Sequence, residues 1–203
     1  MSIIDSPASS RPVRILGIGG SVRETSITRN VLSAVLAEAA KAGAETVLAD
    51  VHTLNLPFHN PDVPFAERPA AYHWLLDEVR AADAYVIASP TYHGTVPGAL
   101  KNVLDCLHIV DGGERITFAQ RPVGLVAYGG PSALNVVNAL SHAARSMRGF
   151  IVPTSVTVAS SALDEPMQAI VDPTTHARIT AMVGELLDLA TLQKQAQREA
   201  VAV

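Results

Sequence analysis

A single cysteine in 203 residues, Cys106, cannot close an internal disulfide or furnish a cysteine-rich zinc site. Charge is also scarce: Asp, Glu, Lys and Arg make up 17% of the chain, against about 25% in an average soluble domain. Neither sign dominates, since 15 basic residues face 19 acidic ones for a formal net charge of −4. Such a chain has no general attraction for phosphate backbones or anionic lipid, so neither nucleic acid nor a membrane is expected as a partner. Apolar runs stay short of the ~18 residues that cross a bilayer. Met1 to Arg11 is polar and Ser-rich, without the apolar core of a signal peptide, so the cytoplasm is the expected compartment. A Gly-x-Ser-x-Gly nucleophile elbow is missing, which argues against a hydrolase. His52, His59, His73, His108, His142 and His176 show no ligand spacing, and no metal is expected.

What the chain has is apolar content, 48% by residue. It falls into short runs suited to strands buried on both faces: Val13 to Ile18, Glu45 to Val51, Ala84 to Ser89, Pro122 to Tyr128 and Phe150 to Val158. Amphipathic stretches separate them. Ile27, Val31, Leu32, Val35, Leu36 and Ala39 keep helical spacing, with Ser26 as N-cap and Gly43 as stop. A second helix is expected from Pro69 to Ala82. A third starts at Pro97, a fourth uses Val136, Val137, Leu140 and Met147, and a fifth uses Ile179, Met182, Val183, Leu186 and Leu187. Leu54 to Pro69, rich in proline, reads as one long loop. Five βα units are too few for a closed eight-fold barrel and predict an open parallel sheet with helices on both faces. The expected domain covers residues 13–193, between polar tails at 1–12 and 194–203. Ligands of such sheets bind beyond the carboxyl ends of the strands.

The first such loop is Gly17-Ile18-Gly19-Gly20-Ser21-Val22-Arg23-Glu24-Thr25-Ser26, opening directly into a helix. The unpaired N–H groups and positive end of that helix suit a phosphate. A nucleoside triphosphatase would need Gly-Lys-Ser/Thr at the loop's end, and there is no lysine. The Rossmann fingerprint lacks its third glycine, although Asp50 at the end of the second strand keeps a dinucleotide site open. A terminal phosphate monoester is the third reading, with Ser21, Arg23, Thr25 and Ser26 around one compact dianion. A polar turn in which Ser26 only caps the helix and Arg23 is solvated stands beside it. The third loop, Ser89 to Asn102, carries Pro90 and Gly94 in a turn able to lay backbone beside a planar ligand. Gly129 and Gly130 in the fourth loop let backbone approach a ring.

Gly20-Ser21-Val22-Arg23-Glu24-Thr25-Ser26 and the segment Ser89-Pro90-Thr91-Tyr92-His93-Gly94-Thr95-Val96-Pro97-Gly98-Ala99-Leu100-Lys101-Asn102 together resemble the signatures of the NAD(P)H-dependent FMN reductases. The resemblance extends from about Val13 to Leu189. It implies a flavodoxin-like three-layer α/β fold, with a five-stranded parallel sheet in the order 2-1-3-4-5. It also implies FMN and NAD(P)H as cofactors. Ser21, Arg23 and Ser26 would hold the FMN phosphate. Pro90, Thr91, Tyr92, His93 and Gly94 would line the isoalloxazine and ribityl, with Gly129 and Gly130 near the ring. Several members carry Glu where this chain has Thr91 and Asn where it has His93.

The implied activity is hydride transfer from a nicotinamide to FMN and onward to a free flavin, quinone, azo compound or similar acceptor. The cofactor supplies the difficult step, so no side chain has to act as acid or base. His93 reads as a turn histidine facing solvent. An FMN-binding electron carrier of flavodoxin type is the alternative. Among the remaining residues, Cys106 reads as a small buried side chain, Lys101 and Asp105 as a surface pair, and Trp74 as the anchor of the second helix or of a subunit contact. The low charge and a mean hydropathy of +0.25 point to covered outer surface, and hence to a homodimer or homotetramer.

Overall fold

The computed structural model describes residues 11–107, 110–111, 114–115 and 118–201. Most of the expected N-terminal tail, together with His108, lies outside the described residues. In chain order the elements are β1 (Arg14–Gly19), α1 (Ile27–Lys41), β2 (Glu45–Asp50), the single turn α2 (Val51–Leu54), α3 (Ala70–Ala81), β3 (Ala84–Pro90) and α4 (Gly98–Cys106). A hairpin of β4 (Val110–Asp111) and β5 (Glu114–Arg115) follows, then β6 (Pro122–Tyr128), α5 (Ala133–Ser146), β7 (Phe150–Ile151), β8 (Val156–Val158) and α6 (Pro173–Val201).

The main sheet is parallel and runs β2-β1-β3-β6, with β7 and β8 both pairing with β6. Counting β7 and β8 as one interrupted fifth strand gives the order 2-1-3-4-5, as the resemblance implies. Alternation along the strands divides their side chains between two cores. Leu16, Ile18, Tyr85, Ile87, Val123 and Leu125 pack with α3, α4 and α5. Ile15, Ala84, Val86, Ala88 and Val126 pack with α1 and α6. Both faces are dry, so the strands read as unbroken apolar runs rather than alternating ones. Each fully buried Leu or Ile contributes about 1.5–3 kcal/mol relative to exposure.

The fifth strand departs from its expectation as one run from Phe150 to Val158. Three steps along β6, Val123 to Val126, are matched by five along its partner, Ile151 to Val156. Two residues are therefore looped out, at a point where Pro153 has no N–H to give the ladder. A carboxylate from α6 takes over the missing pairing. Thr154 donates its N–H and its hydroxyl to Glu185 at 2.8 and 2.7 Å, and Arg178 donates to the Ser155 carbonyl at 2.6 Å.

α6 continues helical to Val201, through residues expected as a C-terminal tail from 194. Lys194 holds it down. Its ammonium donates to Asp83 Oδ2 at 3.0 Å and to the Arg11 and Pro12 carbonyls at 3.2 Å each, and Gln193 donates to the Gln120 carbonyl. The long loop after α2 is secured from α4. Asn102 Oδ1 accepts the His59 N–H at 2.8 Å, while its amide donates to the Pro57 carbonyl at 3.0 Å.

Candidate functional site

The carboxyl ends of β1, β3 and β6 lie in register, with Gly19 beside Ala88 and Pro90 beside Tyr128. The loops leaving these strands therefore share one edge of the sheet. All the expected site residues sit on them.

In the first loop, Gly20 takes φ +98°, and a Cβ there would come within 2.4 Å of Asp50 Oδ1. No other residue type fits this turn against this neighbour. Ser21 and Ser26 turn inward and are buried, whereas Val22, Arg23, Glu24 and Thr25 are exposed. Ser26 accepts the Arg29 N–H at 3.2 Å as the N-cap of α1. Ser21 accepts the Arg23 N–H at 3.3 Å. Because each serine uses only acceptor capacity in these bonds, both O–H groups stay available to an anion. The first-turn N–H groups of α1 at Ile27 and Thr28 have no intrahelical acceptor and carry the positive end of the helix dipole. Arg23 forms no ion pair among the described residues. The sum is a cradle of donors around a small anion.

Two further residues belong to this loop. Arg29 reaches back with one nitrogen to the Glu24 carbonyl at 2.5 Å and with the other to Asp50 Oδ2 at 3.3 Å. The Asp50 carboxylate is buried beneath the loop, and its Oδ1 has no partner among the described residues. It backs the turn, so it is not the ribose-binding carboxylate that a Rossmann site requires. The sequence offered Asp50 only in that other role and gave Arg29 none. His52 at the start of α2 places Nδ1 2.9 Å from the Val22 carbonyl, a contact that joins two loops and has no local sequence signature.

The third and fourth loops are joined to each other. Thr91 donates both its N–H and its hydroxyl to the Tyr128 carbonyl, at 2.9 and 3.0 Å. A Cβ on Gly129 would meet Thr91 Oγ1 at 2.5 Å, so glycine is what lets the two loops close together. Gly129 in turn donates its N–H to the Val158 carbonyl at 3.0 Å. Tyr92 and Thr95 exchange backbone hydrogen bonds at 3.1 and 3.0 Å around His93 (φ +50°) and Gly94 (φ +76°), the signature of a type I′ turn. Pro90 is buried, Thr91, Gly94 and Gly129 are half-buried, and Tyr92, His93 and Gly130 are exposed. His93 faces outward, as expected of a turn histidine.

Paired backbone-lined loops beside a donor cradle fit a planar ring carrying a terminal phosphate, which is the shape of FMN. Residues 13–164 match the family of NADPH-dependent FMN reductases. The chain belongs to this family. It is 27% identical over 183 residues to an NAD(P)H-dependent FAD/FMN reductase of Geobacillus thermodenitrificans, covering 87% of this chain and 93% of that one. An NADPH azoreductase of a Bacillus species is 30% identical over 146 residues, covering 71% and 75%. Among solved structures, the NAD(P)H:(acceptor) oxidoreductase FerB of Paracoccus denitrificans shares the fold, with a TM-score of 0.72, 21% identity and coverage of 88% and 97%. Membership of an FMN reductase family favours the enzyme over the electron-carrier alternative.

Other singled-out residues lie on α3 and α4. Cys106 is buried on α4, and burial pushes its thiol up to about 11, so it stays protonated and unreactive at neutral pH. Lys101 and Asp105 pair along α4. Trp74 is 40% exposed, on the surface of α3 rather than in the core. No helix among the described residues is long and apolar enough to cross a membrane.

Proposed function

We propose that this protein transfers a hydride from NADH or NADPH to FMN held across the three loops, and passes the electrons to a small acceptor. Quinones, azo compounds and free flavin are the acceptor classes it is expected to serve. The observation that carries the reading is the convergence of the three loops at one sheet edge, with a donor cradle at one end and glycine-backed loops at the other. Ser21, Ser26, Arg23 and the N–H groups at the start of α1 would hold the phosphate, each charge-assisted bond contributing about 1.5–3 kcal/mol. Pro90, Thr91, Tyr92, His93, Gly94, Gly129 and Gly130 would line the ring and its ribityl chain.

FMN, when bound, would supply the two-electron chemistry. The protein's part is positional and electrostatic. Thr91 fixes the third loop to the fourth through the Tyr128 carbonyl, and so would hold both in place around the ring. Exposure of Tyr92 and His93 leaves this side open to substrates, or to a second copy of the chain. The exposed apolar side chains Phe58, Val63 and Trp74 support assembly as a homodimer or homotetramer, which light scattering at micromolar concentration tests. Protein loaded with FMN should oxidise NADH or NADPH with at least one of the three acceptor classes. No nicotinamide oxidation by FMN-loaded protein with any of them would overturn the proposal.

A further inference from the structure

Asp50 stands at the N-cap of α2 and does not cap it. An aspartate in that position ordinarily accepts N–H groups from the first turn of its helix. Here its side chain makes no such bond. The carboxylate turns the other way, beneath the first loop, and is 4% exposed. Oδ2 meets Arg29 Nη1 at 3.3 Å. Oδ1 lies 2.4 Å from where a Cβ on Gly20 would fall, and it has no hydrogen-bond partner among the described residues. A buried carboxylate oxygen without a donor costs stability, and α2 gains nothing in return.

The loop above this carboxylate gathers donors for an anion. A fixed negative charge behind such a cradle opposes the charge of any anion that enters it, and the two are poorly screened where water is excluded. Arg29 is the local counter-charge. One of its nitrogens goes to Asp50 and the other to the Glu24 carbonyl, so the guanidinium and the buried carboxylate together carry no net charge. The other charged side chains of the loop, Arg23 and Glu24, are both exposed. Further along α1, Lys41 is paired with Glu38. His52 at the start of α2 has its Nδ1 at the Val22 carbonyl. A phosphate in the cradle is thus left with neutral donors and the solvated Arg23, which forms no ion pair among the described residues.

We infer that Asp50 sets the strength of the cradle: by neutralising Arg29 from behind, it holds the affinity for a phosphate monoester below what the donors of the loop would otherwise give. The inference rests on the proposed flavin reading of the cradle. Asp50 touches no ligand in this role. It acts through Arg29 and through its own field, on the phosphate alone and not on the ring.

The test is calorimetric titration of flavin-free, full-length protein with FMN and with riboflavin, which differ only by the phosphate. The ratio of the two affinities isolates the cradle from the ring loops. Asp50→Asn keeps the shape and removes the charge, so FMN should bind about fivefold tighter or more while riboflavin affinity stays unchanged. The double variant Asp50→Asn, Arg29→Gln removes both charges, and its ratio should return to within about twofold of the parent's. An Asp50→Asn ratio that is unchanged or lower overturns the inference, since Asp50 is then a support for the loop and nothing more. If that variant fails to fold, the double variant, which leaves neither charge unpaired, decides the matter. A parental ratio there supports the inference, and a collapsed one overturns it. Parent protein that binds FMN no better than riboflavin removes the phosphate site, and parent protein that binds neither removes the flavin reading itself; the inference falls in both cases.

Discussion

Thr91 and Gly129 are packed so closely that the hydroxyl of one occupies the space a Cβ on the other would need, at 2.5 Å. Gly129→Ala should therefore push the third and fourth loops apart. Overpacking of this kind costs about 1–3 kcal/mol. The expected result is a lower denaturation midpoint together with weaker FMN binding, read by urea unfolding and by flavin fluorescence. Thr91→Val keeps the shape and removes only the hydroxyl's bond to the Tyr128 carbonyl. It should cost about 1 kcal/mol and leave more flavin affinity than the glycine substitution does.

Arg23 and Ser26 should separate binding from folding. Arg23 is exposed and without an ion pair among the described residues, so Arg23→Ala should leave the thermal midpoint in place while FMN affinity drops about tenfold or more. Ser26→Ala removes the N-cap of α1 as well as a phosphate donor. Both quantities should fall, with about 1 kcal/mol lost from stability. An Arg23 variant with unchanged FMN affinity would sink the phosphate assignment.

Asn102 closes the motif that follows the third strand, and its amide holds the backbone at His59 and Pro57. Asn102→Leu strands those groups. The expected cost is about 1–3 kcal/mol, and limited proteolysis should cut within residues 56–64 faster than in the parent protein.

Asp83 gives a pH-dependent prediction. Burial alone would raise its carboxyl, but the Arg14 N–H, the Lys194 ammonium and Arg11 outweigh it and hold the group below the ordinary carboxylate range. A carboxyl depressed in the folded state stabilises the fold above its unfolded value of about 3.9, and this contribution is lost as the pH falls through the folded value. Asp83→Asn should therefore be clearly destabilised at pH 7 in urea unfolding. Its deficit against the parent should shrink as both are titrated below pH 4.

The central strands were legible because both their faces are buried, which left unbroken apolar runs in β1, β3 and β6. The loop motifs were legible because their residue types stand at short spacing, as in Ser21, Arg23 and Ser26, and the fold brings them to one edge of the sheet. What could not be read locally depends on residues far apart in the chain. The interruption at Val152 to Ser155 is stabilised by Glu185, 31 residues after Thr154. The end of α6 is pinned to the body of the domain where Lys194 meets Asp83 across 111 residues. Arg29 and Asp50 are ordinary helix and strand-end residues until folding brings them together under Gly20. Only the contact reveals their part in the cradle.

The interrupted fifth strand has a consequence for how copies of this chain can meet. A sheet normally ends in a row of unpaired N–H and C=O groups that invites another strand to add on. Here that border is cut into pieces of two and three residues. Between them, Thr154 spends its N–H on Glu185 and Ser155 its carbonyl on Arg178. No continuous ladder is left on that side to template a neighbour, so the outer strand is shielded from edge-to-edge aggregation. Copies that associate on this side of the sheet must do so through side-chain surfaces, where contacts can be both specific and closed.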